Sequence, residues 1–216
     1  MSGILDLLNS DLGKTIISGV SGSTGTDQSK TSSVLSMALP VLMKAMERNA
    51  STPQGAEGLL GALTRKHDGS ILDNLGGLFN GGVNDDIKID GGKILGHVLG
   101  NKQSGVEQVI SQKAGIDASS VGNILKVAAP ILMGVLGKKA RQGNVSSQNG
   151  LGDLLGGLLG GASQSGPVTK EQTFLEQVLD SDGDGSIVDD VAGMLLGGGQ
   201  KKRGDLGGLL GGLFGK

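Results

Sequence analysis

The residues best equipped for chemistry form one short run, Asp180-Ser181-Asp182-Gly183-Asp184-Gly185-Ser186-Ile187. Alternate aspartates on a tight loop can turn three carboxylates toward one centre, and a hard cation such as Ca2+ needs several oxygen ligands. The run has the opening of an EF-hand-type loop. Gly185 takes the sharp sixth-position turn, Ser186 offers its backbone carbonyl and Ile187 anchors the loop to a core. Val191 stands at the twelfth position, where a bidentate glutamate is expected. Asp189, three residues beyond Ser186, can replace it if the following helix begins early. The candidate metal set is therefore Asp180, Asp182, Asp184, Ser186 and Asp189, with Ca2+ as the ion. Two readings without metal compete with it. Ser186 and Asp189 also spell a Ser-x-x-Asp helix cap, and the same acids can form a solvated surface turn.

An earlier stretch, Asp68-Gly69-Ser70-Ile71-Leu72-Asp73-Asn74, matches Asp184 to Asp190, but Thr64 and Lys66 replace the first two aspartates. This copy is expected to keep the turn and the Ser-x-x-Asp cap and to lose calcium, with Lys66 supplying positive charge in place of the ion. Other motifs carry less. Gly13-Lys14-Thr15 resembles the end of a phosphate-binding loop, yet Leu8 occupies the first required glycine position. His67 and His97 lack ligand or catalytic spacing and read as surface or packed histidines. No serine sits in a recognisable nucleophile elbow. Lys138-Lys139-Arg141 and Lys201-Lys202-Arg203 read as solvated helix ends. Without aromatic platforms or a wider positive face, no nucleic-acid binding is expected.

The elements that must position these residues are helical. Val34, Met37, Ala38, Val41, Leu42, Ala45 and Met46 follow a 3.6-residue stripe within Ser29–Arg48, behind Asp27 as N-cap. Pro40 lies inside that helix and projects opposite the stripe, which turns the carbonyl it frees toward water and bends the helix around its core. Ninety residues on, Ile124, Val127, Ala128, Ile131, Leu132, Val135 and Leu136 repeat the stripe within Ser119–Lys139, Pro130 matches Pro40 and Asp117 matches Asp27. Together with the two Asp-Gly-Ser runs this reads as an internal duplication, with an insertion in the second copy between Ala140 and Pro167. Further helices are expected at Ile4–Asn9 (extending to Val20), Glu57–Arg65, Ile71–Phe79, Gly92–Leu99, Val106–Ala114, Glu171–Leu179 and Ile187–Leu196. Asn84 to Gly92 reads as a turn-rich link whose Ile87-Lys88-Ile89 alternation is too short to found a sheet. The fold class is all-α.

Composition narrows the functions. Glycine supplies 42 of 216 residues, with no cysteine, tryptophan or tyrosine and three phenylalanines. A glycine share far above the usual ~7%, without a Gly-X-Y period, excludes collagen and an aromatic-packed enzyme core. Lack of cysteine excludes disulfides, thiolate metal sites and cysteine nucleophiles, and a net charge of −2 provides no general field for anionic partners. Met1 to Asp6 lacks a basic region and an apolar core, so no secretory signal is expected. The apolar-plus-glycine runs, such as Leu154 to Ala162, fall well short of the roughly 20 residues of a membrane span. A cytoplasmic protein with no transmembrane segment is the expectation.

Leucine–glycine tracts punctuate the chain at Leu75 to Gly82, Leu151 to Ala162 and Leu206 to Gly215. A Leu-Leu-Gly-Gly period puts leucines on one side of a helix and glycines on the other. Each helical glycine costs about 0.8–1 kcal/mol relative to alanine, so the tracts are either helices compensated by close packing or linkers and tails.

Gly92-Lys93-Ile94-Leu95-Gly96-His97-Val98-Leu99-Gly100 and the Val121-to-Leu136 helix, with Ala129-Pro130-Ile131-Leu132-Met133, resemble the bacterial YidB-like proteins. The aspartate run followed by glycine–leucine sequence is similar to their longer members. That resemblance implies homeodomain-like helix packing and self-association, and brings no catalytic residues. The chain then divides into a helical region at 1–139, a Gly/Ser/Leu-rich insertion or linker at 140–168, a helix–aspartate loop–helix at 169–199 and a glycine–leucine tail at 200–216. The expected function is that of a non-enzymatic interaction protein, a homo-oligomer with calcium on one loop and room for a further protein partner. The alternative is a small-molecule-binding protein or enzyme with no recognisable motif.

Overall fold

Caps decide where the helices begin and end. The computed structural model describes residues 3–80 and 83–160. In chain order these form α1 (Ile4–Asn9), α2 (Asp11–Thr24), α3 (Gln28–Ala50), α4 (Pro53–Arg65), a 3-10 turn (Ser70–Asn74), α5 (Leu75–Phe79), α6 (Asp85–Leu99), α7 (Gln103–Ala114), α8 (Ala118–Gln142) and α9 (Gln148–Gly160), with a second 3-10 turn (Gly100–Lys102) ahead of α7. The protein is all-α. Ser10 splits the first expected helix in two, because its Oγ accepts the Gly13 N–H at 3.2 Å and starts α2. Thr52 caps α4 in the same way, with Pro53 at the first helical position, so α4 begins before Glu57. Asn74 accepts the Gly77 N–H and divides Ile71–Phe79 into a 3-10 turn and α5.

Asn84 to Gly92 is not a link. Asn84 accepts the Asp86 N–H at 3.0 Å, Asp85 and Asp86 sit in the positive first turn, and α6 runs through Ile87 and Ile89. Capping and dipole together override the short alternation of isoleucines.

Both prolines lie within continuous helices, and both are buried. Pro40 therefore does not face water. Leu35, Leu39 and Met43 are buried beside the expected stripe, so the covered arc of α3 reaches round to the proline. α8 goes further: from Val121 to Gly137 only Asn123 is exposed and Lys126 half-buried. A helix apolar on all sides must be covered on all sides, and α2, α3, α4, α6, α7 and the first 3-10 turn pack around it. By length and composition α8 is apolar enough to cross a membrane, a possibility that counting uninterrupted apolar runs overlooks; most of it is buried within the chain.

The same helix joint occurs twice. α2 ends at Gly25 and α7 at Gly115, both left-handed (φ 65° and 66°). In each, the glycine N–H and the next residue's N–H donate to one serine carbonyl, Ser21 or Ser111. Asp27 and Asp117 then cap α3 and α8. The Lys30 and Ser29 N–H groups hold the Asp27 carboxyl below its usual range, and the Ser119 and Ser120 hydroxyls do so more strongly for Asp117. Packing partners also exchange between the halves: α2 lies on α3 and α8, and α7 on α8 and α3. Across this second pairing the Lys30 Nζ donates to the Ala114 carbonyl at 2.8 Å.

α9 lies on α3, α4 and α8 with Leu151, Leu155 and Leu158 buried. Residues 148–160 are thus part of the core and do not act as a linker. Leucine burial on one face compensates the cost of the glycines, whereas the glycine face is open. Among the described residues, a side chain at Gly152 would touch nothing, and one at Gly156 would reach only Glu47 Oε1 at 3.9 Å.

Glycine is needed where α6 crosses α8. Any side chain at Gly91 would collide with the Lys126 carbonyl, whereas Gly96 on the same helix faces open space. Gly91→Ala should therefore destabilise the fold by about 1–3 kcal/mol through overpacking. Gly96→Ala should stabilise it by roughly 0.5–1 kcal/mol through helix propensity. Urea midpoints of the two variants should move in opposite directions.

Candidate functional site

A groove of about 790 Å3 lies between α4 and α6. Each wall is one helix face. α4 contributes Gly55, Gly58, Leu59, Ala62 and Lys66, and α6 contributes Asp90, Lys93, Ile94, His97 and Val98. Those spacings of three and four residues are what a single helical face presents. The floor comes from Met46 of α3 and Met133 of α8, both buried. α6 is tied to the end of α3 by Asn49, whose Nδ2 donates to the His97 and Val98 carbonyls at 3.2 and 3.3 Å.

One end of the groove is polar. Lys66 Nζ pairs with Asp90 Oδ1, and the other Asp90 oxygen lies 3.6 Å from His67 Nε2. His67 is 7% exposed. Burial pushes its pKa down, Asp90 opposes that shift and Lys66 adds to it, so the ring is held neutral below its ordinary range. On the α6 wall, His97 Nδ1 bonds the Lys93 carbonyl at 2.7 Å, which leaves Nε2 as the uncommitted ring nitrogen. Lys93 is exposed and pairs with no carboxylate among the described residues. The two histidines, unremarkable by spacing in the sequence, are brought to one groove by the crossing of α4 and α6 over α3 and α8.

The Asp-Gly-Ser turn of residues 68–70 sits on the far side of α4's C-terminal end, against α8. Asp68 Oδ1 accepts the Ser70 N–H at 3.0 Å, and Gly69 adopts φ 102°. The 3-10 turn is capped by Gly69 with no side-chain bond, so the expected Ser70–Asp73 cap is replaced by this aspartate turn. Lys66 does not supply the compensating charge either, since it points to Asp90. Arg141 stands 3.5 Å from Asp68, and Lys138 stands 3.7 Å from Asp73, both from the end of α8. The basic run Lys138-Lys139-Arg141 is thus partly an ion-pair edge for the turn. Gly134 and Gly137 let it approach: a side chain at Gly137 would strike the His67 carbonyl, and one at Gly134 would strike Ile71.

Asp180, Asp182, Asp184, Ser186 and Asp189 lie outside the described residues, as do the helices expected at Glu171–Leu179 and Ile187–Leu196. Among the described residues no group of three His, Asp or Glu side chains is arranged to hold a metal. Gly13-Lys14-Thr15 lies in the first turn of α2, behind the Ser10 cap.

Fold and groove define an all-α protein with an amphipathic groove between two of its helices. The chain belongs to a family of bacterial proteins of unknown function (DUF937), whose model matches residues 6–139 and 141–216. The YidB-like resemblance fits that membership. No curated protein and no solved structure matches the chain.

Neutral His67 makes stability depend on pH. Its folded pKa lies below the ordinary value of 6.5, so its contribution is complete above 6.5 and is lost as pH falls toward the folded value. The urea midpoint should therefore drop on acidification from just above pH 6.5 into the range where carboxylates begin to titrate. His67→Gln should flatten that segment of the profile, and an unchanged slope would show that His67 is not the group responsible.

Proposed function

We propose that this is a non-enzymatic interaction protein, built from a duplicated helical unit, that assembles with further copies of itself through leucine–glycine helices. α9 carries the reading: a Leu/Gly period of this kind forms a helix with Leu151, Leu155 and Leu158 buried, while Gly152 and Gly156 leave its flank without side chains and, among the described residues, with little packed on it. Close approach of a second helix over that face offers the packing that a leucine–glycine helix otherwise lacks. The tract Leu206 to Gly215 repeats the pattern and lies outside the described residues. The repeated Gly25–Asp27 and Gly115–Asp117 joints support the duplicated unit.

Sedimentation velocity over a concentration series tests the assembly. Leu209→Asp with Leu213→Asp should lower the assembly state while the far-ultraviolet helical signal is retained. The same species before and after would make the tract a tail.

In the same proposal Ca2+ binds the loop of Asp180, Asp182, Asp184, Ser186 and Asp189, because three carboxylates at alternate positions repel one another unless a cation screens them. Calorimetric titration of the full chain with Ca2+ should give heat that disappears in Asp182→Ala/Asp184→Ala. Equal heats in both would leave the helix-cap reading.

A further inference from the structure

The groove between α4 and α6 has a chemistry of its own, independent of assembly and of calcium. Its volume of about 790 Å3 lies in the range of small-ligand sites, roughly 300–1,000 Å3. Its middle is apolar and adaptable. Leu59 and Ala62 face Ile94 and Val98 across a floor of Met46 and Met133, and methionine fits itself to varied apolar shapes.

Charge breaks this apolar character in one direction. Apart from Arg48, which has a partner of its own, the lining holds Lys66 and Lys93 against a single carboxylate, Asp90, in a chain whose net charge is −2. Lys66 already pairs with Asp90, so one cation and the one anion cancel. Lys93 is left without a carboxylate among the described residues. His97 stands one helical turn further along the same face, and its Nδ1–H donates to the Lys93 carbonyl, so Nε2 of the neutral ring carries a lone pair and Lys93 alone offers a donor to an anion there. An apolar trough with an unmatched cation on its rim is complementary to an apolar chain that ends in an anion. Burying the chain supplies the driving force, and the charged head remains at the rim, where Lys93 can meet it without being desolvated.

We infer that the α4–α6 groove binds a small amphipathic carboxylate, a fatty-acid-like molecule, with its chain along Leu59, Ala62, Ile94 and Val98 and its carboxylate at Lys93. Gly58 is part of the fit. A side chain there would touch nothing among the described residues, and Gly58 lines the groove.

The test is a calorimetric titration of the full chain with dodecanoate, dodecanol and dodecyltrimethylammonium, each below its micellar concentration. Dodecanoate should bind about tenfold more tightly than dodecanol, the scale of one charge-assisted contact, and the cationic probe should bind least. Lys93→Gln should reduce dodecanoate to the level of dodecanol and leave dodecanol unchanged. Gly58→Leu fills the groove while improving helix propensity, and should abolish binding of all three with the helical signal intact. Amide shifts caused by dodecanoate should cluster on α4 and α6. Equal affinities for the three probes, discrimination that survives Lys93→Gln, or binding that survives Gly58→Leu would overturn the inference. So would an acidic amphipathic peptide that shifts α4 and α6 where dodecanoate does not.

Discussion

One backbone carbonyl organises much of this fold. Pro130 has no N–H, so the carbonyl of Lys126, four residues earlier in α8, loses its helical partner. That carbonyl faces Gly91 of α6 so closely that no side chain is tolerated there. Removing a donor from the centre of a buried helix would ordinarily leave an acceptor orphaned. Here the glycine backbone of α6 is laid against it, and α6 packs on α8 more extensively than any other pair of helices. α8 is apolar on almost every side, so the remaining helices are arranged as its cover.

Two further glycines of α8 extend the same logic to the opposite wall of the groove. Gly137 admits the His67 carbonyl and Gly134 admits Ile71, which brings the end of α4 and the Asp-Gly-Ser turn down onto α8. Arg141 and Lys138 then face Asp68 and Asp73 at the margin, exposed pairs that orient the turn more than they stabilise it. With α6 held at Gly91 and α4 held at Gly137, the two helices stand apart over Met46 and Met133. The groove is the space left between two walls, each anchored to the same central helix by glycine contacts.

This arrangement separates the chemistry of the chain into distinct places. Buried, neutral His67 with Asp90 and Lys66 closes one end of the groove, a largely self-compensated cluster. Lys93 and His97 on the α6 rim are where unmatched polar capacity lies. The open glycine face of α9 is separate again, formed by a helix that rests its leucines on α3 and α4. Among the described residues these polar groups lie along separate helix faces.

Much of the architecture was legible in the residues alone. The 3.6-residue stripes of α3 and α8, their caps at Asp27 and Asp117, and the ninety-residue offset between them follow from local periodicity and capping, which need no tertiary partner. At the start of α6, Ile87-Lys88-Ile89 alternates over too few residues to signify, while the Asn84 cap and the two aspartates after it carry the stronger signal. The groove was not legible at all. His67 and Asp90 are far apart in sequence, and nothing in their spacing announces that α4 and α6 will cross α8 side by side. Pro40 shows the same limit on a smaller scale: its angle on the helix is set by sequence, but whether that side meets water depends on what packs there. Local rules specify which residues share a face. Only the tertiary structure decides what covers it, because covering is a contact between segments that the chain brings together by folding.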